Sequence, residues 1–230
     1  MPSQTRTKAT AGGAKVKSKS GRRSPVNVRV KKGRDLPILP IAVAAILVVV
    51  AIGLVVYGVT NNTTTNKPAA VAGIPCDHLE QTQVHYHAAL QMVYQGNTVH
   101  IPGGIGITGG ETAPSCYYWL HVHSANTDVI HIESPAANIF TLGQFFQVWT
   151  TWSTAQGGPS EPLDSNHVSS FTLTSGQSLV VYVDANDGKG PQLYTGDPKK
   201  ILLRNHEVIT LEIAPPTVAP PPAFTWPSGL

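Results

Sequence analysis

Cysteine is scarce: Cys76 and Cys116 are the only two in 230 residues, and no zinc-finger spacing can be built from them. No aromatic residue precedes Tyr57, and nothing in that basic N-terminal region resembles a nucleic-acid-binding fold. Acids are rare there too, with Asp35 alone among the first 36 positions. The G-x-S-x-G pattern, a P-loop and a workable Ser/His/Asp order are all missing, which argues against hydrolases and nucleotide-binding enzymes. One glycine-rich stretch, Gly103-Gly104-Ile105-Gly106, follows a strand pattern but opens no helix, so it reads as a turn rather than a phosphate cradle.

What is present first is an apolar run, Leu36 to Tyr57 (LPILPIAVAAILVVVAIGLVVY). A helix needs about 20 apolar residues to cross a bilayer's hydrocarbon core. This run reaches that length with Pro37 and Pro40 confined to its first turn, where proline is tolerated. A single transmembrane helix over residues 36–59 is therefore expected. A cleaved secretory signal is the alternative, but its apolar part is usually only ~7–15 residues long, and no A-x-A-like site follows Tyr57 at once.

Residues 1 to 36 carry 11 of the 16 lysines and arginines. Positive charge stays on the cytoplasmic side, so residues 1–35 are expected to form a disordered cytoplasmic tail of a single-pass cell-membrane protein, with everything past residue 60 extracytoplasmic. That remainder holds 5 basic residues and 12 acids, a balance of −7 hidden behind the overall +3. Each juxtamembrane Lys or Arg can contribute ~1 kcal/mol near anionic lipid, but a topology signal is the simpler reading of the tail. The expected partners are the lipid bilayer and a candidate extracytoplasmic protein, not nucleic acid.

Residues 60–73 are small and polar and read as a linker. A folded domain is expected over 74–214. Residues 215–230 form a proline-rich tail without strand period, expected to be extended in polyproline II form; a disordered end is the preferred reading over a ligand for a partner. Within the domain the period is mostly two. Gln83 to Tyr94 sets Val84, Tyr86, Ala88, Leu90, Met92 and Tyr94 on one face, the alternation of a half-buried strand. Thr98 to Ile107, Cys116 to His123, Val129 to Glu133, Val168 to Thr174, Ser178 to Asp184 and Glu207 to Ile213 also read as strands between Gly and Pro clusters. Thr141 to Trp152 differs, bringing Leu142, Phe145, Phe146 and Trp149 together at helical spacing, with Thr141 and Gln144 as a capping box. The fold class expected is mainly β: a single N-terminal transmembrane helix, then an antiparallel β-sandwich or small barrel with one short amphipathic helix.

On the oxidising side of a membrane Cys76 and Cys116 are expected to form a disulfide; the alternative makes Cys116 a thiolate ligand beside nearby histidines. Five of the nine histidines fall in three strand segments: His85 and His87, His121 and His123, and His131 two residues before Glu133. Strand side chains at i and i+2 point the same way, so each motif can offer two donors to one ion, and imidazole with carboxylate suits Zn, Cu, Fe or Ni. All three motifs could converge on the second face of one sheet, with the Phe145, Phe146 and Trp149 helix as an apolar lid. A buried histidine network without metal produces the same string. His78, His100 and His167 read as ordinary surface or loop residues, and His206 as a turn residue that could join the site by folding back.

The blocks CDHLEQTQVHYHAAL, IPGGIGI, CYYWLHVHSANTDVIHIESP, FTLGQFFQVW and LYTGDPKKILLRNHEVITLEI resemble, in this order and over roughly residues 74 to 213, a family of uncharacterised membrane-anchored extracytoplasmic bacterial domains. The resemblance implies an anchored domain and little mechanism. In that family the second H-x-H block usually reads LHTHD; here Val122 and Ser124 replace the Thr and the Asp, so any ligand role of that acid does not carry over.

The function expected is an anchored extracytoplasmic domain that binds a transition metal, copper first and zinc as the alternative, through His85, His87, His121, His123, His131 and Glu133. Because ligation needs neutral imidazoles, whose reference pKa is ~6.5, affinity should collapse below about pH 6. A metal-free interaction domain is the alternative, and a cupin-like metalloenzyme a weaker one, since the full cupin motif is absent and so many donors leave no open position for catalysis.

Overall fold

The computed structural model describes Gly33, residues 38–61 and residues 68–230. Apart from Gly33, the basic tail expected over 1–35 lies outside the described residues, as does residue 62–67 of the expected linker. The chain divides into two units, residues 1–62 and 63–230. In the first, helix α1 (Ile38–Asn61) contains a stretch, Leu39–Tyr57, long and apolar enough to cross a membrane, a property that a signal sequence shares.

The second unit is mostly β. In chain order its strands begin with β1 (Cys76–Asp77), β2 (Val84–Tyr94), β3 (Asn97–Val99), β4 (Ile107–Thr108), β5 (Cys116–Tyr118), β6 (Leu120–His121) and β7 (Val129–Ser134). Helix α2 (Leu142–Ala155) follows, then β8 (His167–Val168), β9 (Phe171–Thr172), β10 (Ser178–Asp184), β11 (Gln192–Leu193) and β12 (Val208–Ala214). The large sheet runs β11-β10-β12-β2-β7-β6, with β3 as a hairpin partner of β2. It does not close into a barrel, and it is mixed: β12 runs parallel to β2, against the antiparallel expectation. The strand expected over 98–107 is instead β3, a glycine-bearing loop and the start of β4. Gly106 has φ +76, and a Cβ there would stand 2.6 Å from the Leu120 carbonyl oxygen, so only glycine lets the loop approach β6.

Alternation on β2 sends Ala88, Leu90 and Met92 into the core, beside Ile130 and Ile132 of β7, Leu120 of β6 and Ile209 and Leu211 of β12. Helix α2 closes this face with Leu142, Phe145, Phe146 and Trp149, all buried in the same core. Each such side chain removed from water contributes roughly 1.5–3 kcal/mol. The capping box is as expected: the Gln144 N–H donates to Thr141 Oγ1 at 3.3 Å, and the Thr141 N–H donates to Gln144 Oε1 at 3.0 Å. Its position corrects one expectation. The helix covers the apolar face and is not a lid over the histidines.

Chain on both sides of 74–214 is packed as well. The Tyr118 hydroxyl donates to the Ala69 carbonyl at 3.1 Å, and the Gln144 side-chain amide to the Ala72 carbonyl at 3.0 Å. In the proline-rich tail, which was expected to be disordered, Pro221 is buried and the Val218 N–H donates to the Glu212 carboxylate. Pro220, Phe224 and Trp226 line a cavity of about 370 Å³ with Gln91, His206 and Thr210.

Candidate metal centre

The site follows from register. On β2 the face opposite the core carries His85 and His87, and antiparallel pairing sets His85 across from Glu133 and His87 across from His131 of β7. On the other side of β7, His121 of β6 pairs with the same His131. Three rings thus form a row across three strands, with His131 in the middle. His123, just beyond β6, places its ring centroid 4.7 Å from that of His131. All six residues singled out in the sequence, His85, His87, His121, His123, His131 and Glu133, come together.

Their donor atoms converge. His85 Nε2 lies 3.1 Å from His87 Nε2 and 3.3 Å from Glu133 Oε1. His121 Nε2 lies 3.2 Å from His123 Nε2 and 3.9 Å from Glu133 Oε1. Among the described residues, donor atoms within 4.8 Å of one another form the groups His85–His87–His131, His121–His123–His131 and Glu80–His121–Glu133, each of which could hold a metal ion.

The tautomer of His121 is fixed by its neighbour. Its Nδ1 lies 2.9 Å from the Tyr118 carbonyl oxygen, which can only accept, so Nδ1 carries the hydrogen and Nε2 presents a lone pair to the cluster. Outer hydrogen bonds of this kind orient histidine ligands in metal sites. His131 is more unusual: it is 5% exposed, yet among the described residues neither ring nitrogen has a hydrogen-bond partner, the nearest acceptor being Glu133 Oε1 at 3.6 Å from Nδ1. Buried polar atoms are normally paired because desolvating them without a partner costs roughly 1–3 kcal/mol.

Burial and neighbouring charge keep His87, His121 and Glu133 in their ligating forms. Burial, reinforced by the His131 and His85 rings, lowers the pKa of His87 to about 4. Burial lowers that of His121 to about 3, against the opposing pull of Glu133. For Glu133 burial pushes upward, but the neighbouring His131, His121 and His85 outweigh it and hold the carboxyl below its ordinary value.

Two carboxylates at the rim were not anticipated from the sequence. Glu80 Oε1 stands 3.0 Å from His123 Nε2, and Glu111 Oε1 stands 3.7 Å from His123 Nδ1 while accepting the Ser124 N–H at 2.6 Å. Both sit in loops, where no period marks a side chain's direction. Glu80 had one signal: it lies four residues past Cys76, and His121 five past Cys116. The disulfide between those cysteines, with Cα atoms 5.5 Å apart, brings the two segments together; Cys116 is therefore no thiolate ligand. The remaining histidines lie outside the cluster's donor groups. His78 meets the Ser115 carbonyl at 2.9 Å, His100 pairs with Asp128, His167 sits 3.0 Å from Asp164, and His206 packs on Trp226 at 4.7 Å between centroids. No protein-family model, curated protein or solved structure matches the chain.

Proposed function

We propose that this chain is a membrane-anchored, extracytoplasmic protein that binds a transition metal, copper in preference to zinc, at the His85, His87, His121, His123, His131 and Glu133 cluster. The observation that carries the reading is His131, buried at the centre of four other imidazoles with neither nitrogen hydrogen-bonded among the described residues and the Glu133 carboxylate 3.6 Å from its Nδ1. A hydrogen-bond network without metal would give that ring a partner, whereas an ion supplies one that a nitrogen lone pair satisfies. Imidazole and carboxylate donors bind Cu(II) most tightly of the common divalent metals. The anchor is α1, the basic residues 1–35 set its orientation by the positive-inside rule, and the disulfide fits an oxidising compartment. The same anchored architecture is what the resemblance of the sequence blocks implies, and a protein partner outside the membrane would receive or deliver the ion.

Isothermal titration of the full chain in detergent with Cu(II) and Zn(II) at pH 7 tests this. Saturable binding, reduced in the His121→Ala/His123→Ala variant, is expected; no binding, or binding untouched by that variant, would reject the proposal. The metal-free reading draws on the 3.1 and 3.2 Å contacts within each H-x-H pair, which suit hydrogen bonds, and it requires a melting temperature indifferent to added copper.

A further inference from the structure

We infer that the cluster is built for two ions rather than one, with the His131 ring bridging them; this rests on the metal-binding reading above and extends it. Seven side chains, five imidazoles and the carboxylates of Glu80 and Glu133, meet there, more than the four donors of a tetrahedral site. They divide along the sheet. On the β2 side, His85 and His87 join His131, with Glu133 Oε1 3.3 Å from His85 Nε2 and 3.6 Å from His131 Nδ1. On the β6 side, His121 and His123 join His131, with Glu80 Oε1 3.0 Å from His123 Nε2 and 3.8 Å from His121 Nε2. Each set has three imidazoles and a carboxylate; His131 belongs to both, and Glu133 Oε1, 3.9 Å from His121 Nε2, reaches the β6 set too.

Strand spacing explains why one ion does not serve all seven. Neighbouring strands lie ~4.8 Å apart, so β2 and β6, separated by β7, carry their H-x-H pairs roughly 10 Å apart at the backbone. Metal–nitrogen bonds are about 2.0–2.1 Å, so two nitrogens on one ion stand no more than about 4 Å apart. The middle strand closes the gap with a residue whose two ring nitrogens face different directions, and among the described residues neither makes a hydrogen bond, Glu133 Oε1 standing 3.6 Å from Nδ1. The His87 and His131 rings are nearly perpendicular at 4.5 Å, as are those of His123 and His131 at 4.7 Å, so His131 stands against one ring of each pair. When the second ion binds, the remaining ring N–H proton of His131 leaves to solvent and the anionic ring ligates both ions. No electron transfer is involved.

The test is copper stoichiometry together with electron paramagnetic resonance of the full chain in detergent, loaded with Cu(II) and dialysed. Two Cu(II) ions joined through one imidazolate couple antiferromagnetically. Two copper ions per chain are expected, with a low-temperature signal integrating to less than half of the copper present. The His85→Ala/His87→Ala and His121→Ala/His123→Ala variants should each retain one copper, fully visible, with folding checked by circular dichroism. One copper per chain in the unaltered protein, loss of all copper in both double variants, or two copper ions with full signal would overturn the bridged pair. No copper at all would instead overturn the metal-binding reading beneath it.

Discussion

On one face of the β2–β7–β6 ladder, Ala88, Ile130, Ile132 and Leu120 disappear beneath α2; on the other, His87, His131 and His121 occupy the positions between them. The same alternation makes both. The apolar face gains stability from every side chain taken out of water, without regard to direction. His87, His121 and His131 on the imidazole face are buried as well, but such groups cost free energy unless each nitrogen finds a partner, and among the described residues His131 has no hydrogen bond and only the Glu133 carboxylate, 3.6 Å from its Nδ1, beside it. One face holds the sheet together, and the other holds donors at a fixed spacing for something the first does not need.

Truncation on the apolar face should therefore have the largest effect on stability and leave the site's chemistry alone. Phe145 is fully buried in α2, and Phe145→Ala should lower unfolding free energy by about 4 kcal/mol, read as a fall in the urea midpoint. Copper stoichiometry of the folded protein should not change; if it does, the two faces are not separable. Removing the disulfide comes next and reaches both faces. Cys76→Ser/Cys116→Ser opens a loop of 40 residues, worth ~4 kcal/mol in the chain-entropy picture. It also frees the segment that carries Glu80, so copper affinity should weaken together with the melting temperature.

Of the two faces, acid acts on the imidazole one. His87 titrates at about 4 and His121 at about 3 in the folded protein, whereas both take up protons near ~6.5 in an unfolded chain. Between those values the unfolded state binds more protons, so stability falls with falling pH. The contribution is complete above about pH 6.5 and is lost on the way to about pH 4 and 3. The depressed carboxyl of Glu133 adds a loss in the same direction at lower pH. The metal-free protein should thus melt at constant temperature from pH 8 to 7 and progressively lower from pH 6 to 4, by at least ~2 kcal/mol in all. His87→Gln/His121→Gln should flatten the profile, and a wild-type profile already flat over that range would contradict the burial of these rings.

Which of these features the sequence revealed follows from the range of the interactions. Shared direction at i and i+2 is a local property, so the pairing of His85 with His87 and of His131 with Glu133 was legible without coordinates. So was the capping box of α2, whose two bonds span three residues. The face that α2 covers was not: an apolar stripe says that a helix buries one side, not against what, and core packing drew it to Ile130 and Ile132 rather than to the rings. The parallel pairing of β12 with β2 joins segments more than a hundred residues apart and leaves no local trace. Glycine clusters marked a turn near 103–106, but the alternation of Thr98 to Ile107 hid that the chain leaves the sheet there to pack against Ser124 and Leu120.

The smallest expected effect on stability is also the sharpest division between the faces. His131 sits at 5% exposure with neither nitrogen hydrogen-bonded among the described residues, and replacing an unsatisfied buried polar group by an apolar one of similar volume is near neutral or stabilising. In metal-free protein His131→Leu should leave the urea midpoint unchanged or raise stability by about 1 kcal/mol. In copper-loaded protein the same substitution should abolish the rise in melting temperature that the ion confers on wild type, since a ligand stabilises only the state that binds it. A variant destabilised without metal by more than the loss of one 3.6 Å contact to Glu133 would mean that His131 is held by a metal-free network in the folded chain, and the central premise of the site would fall with it.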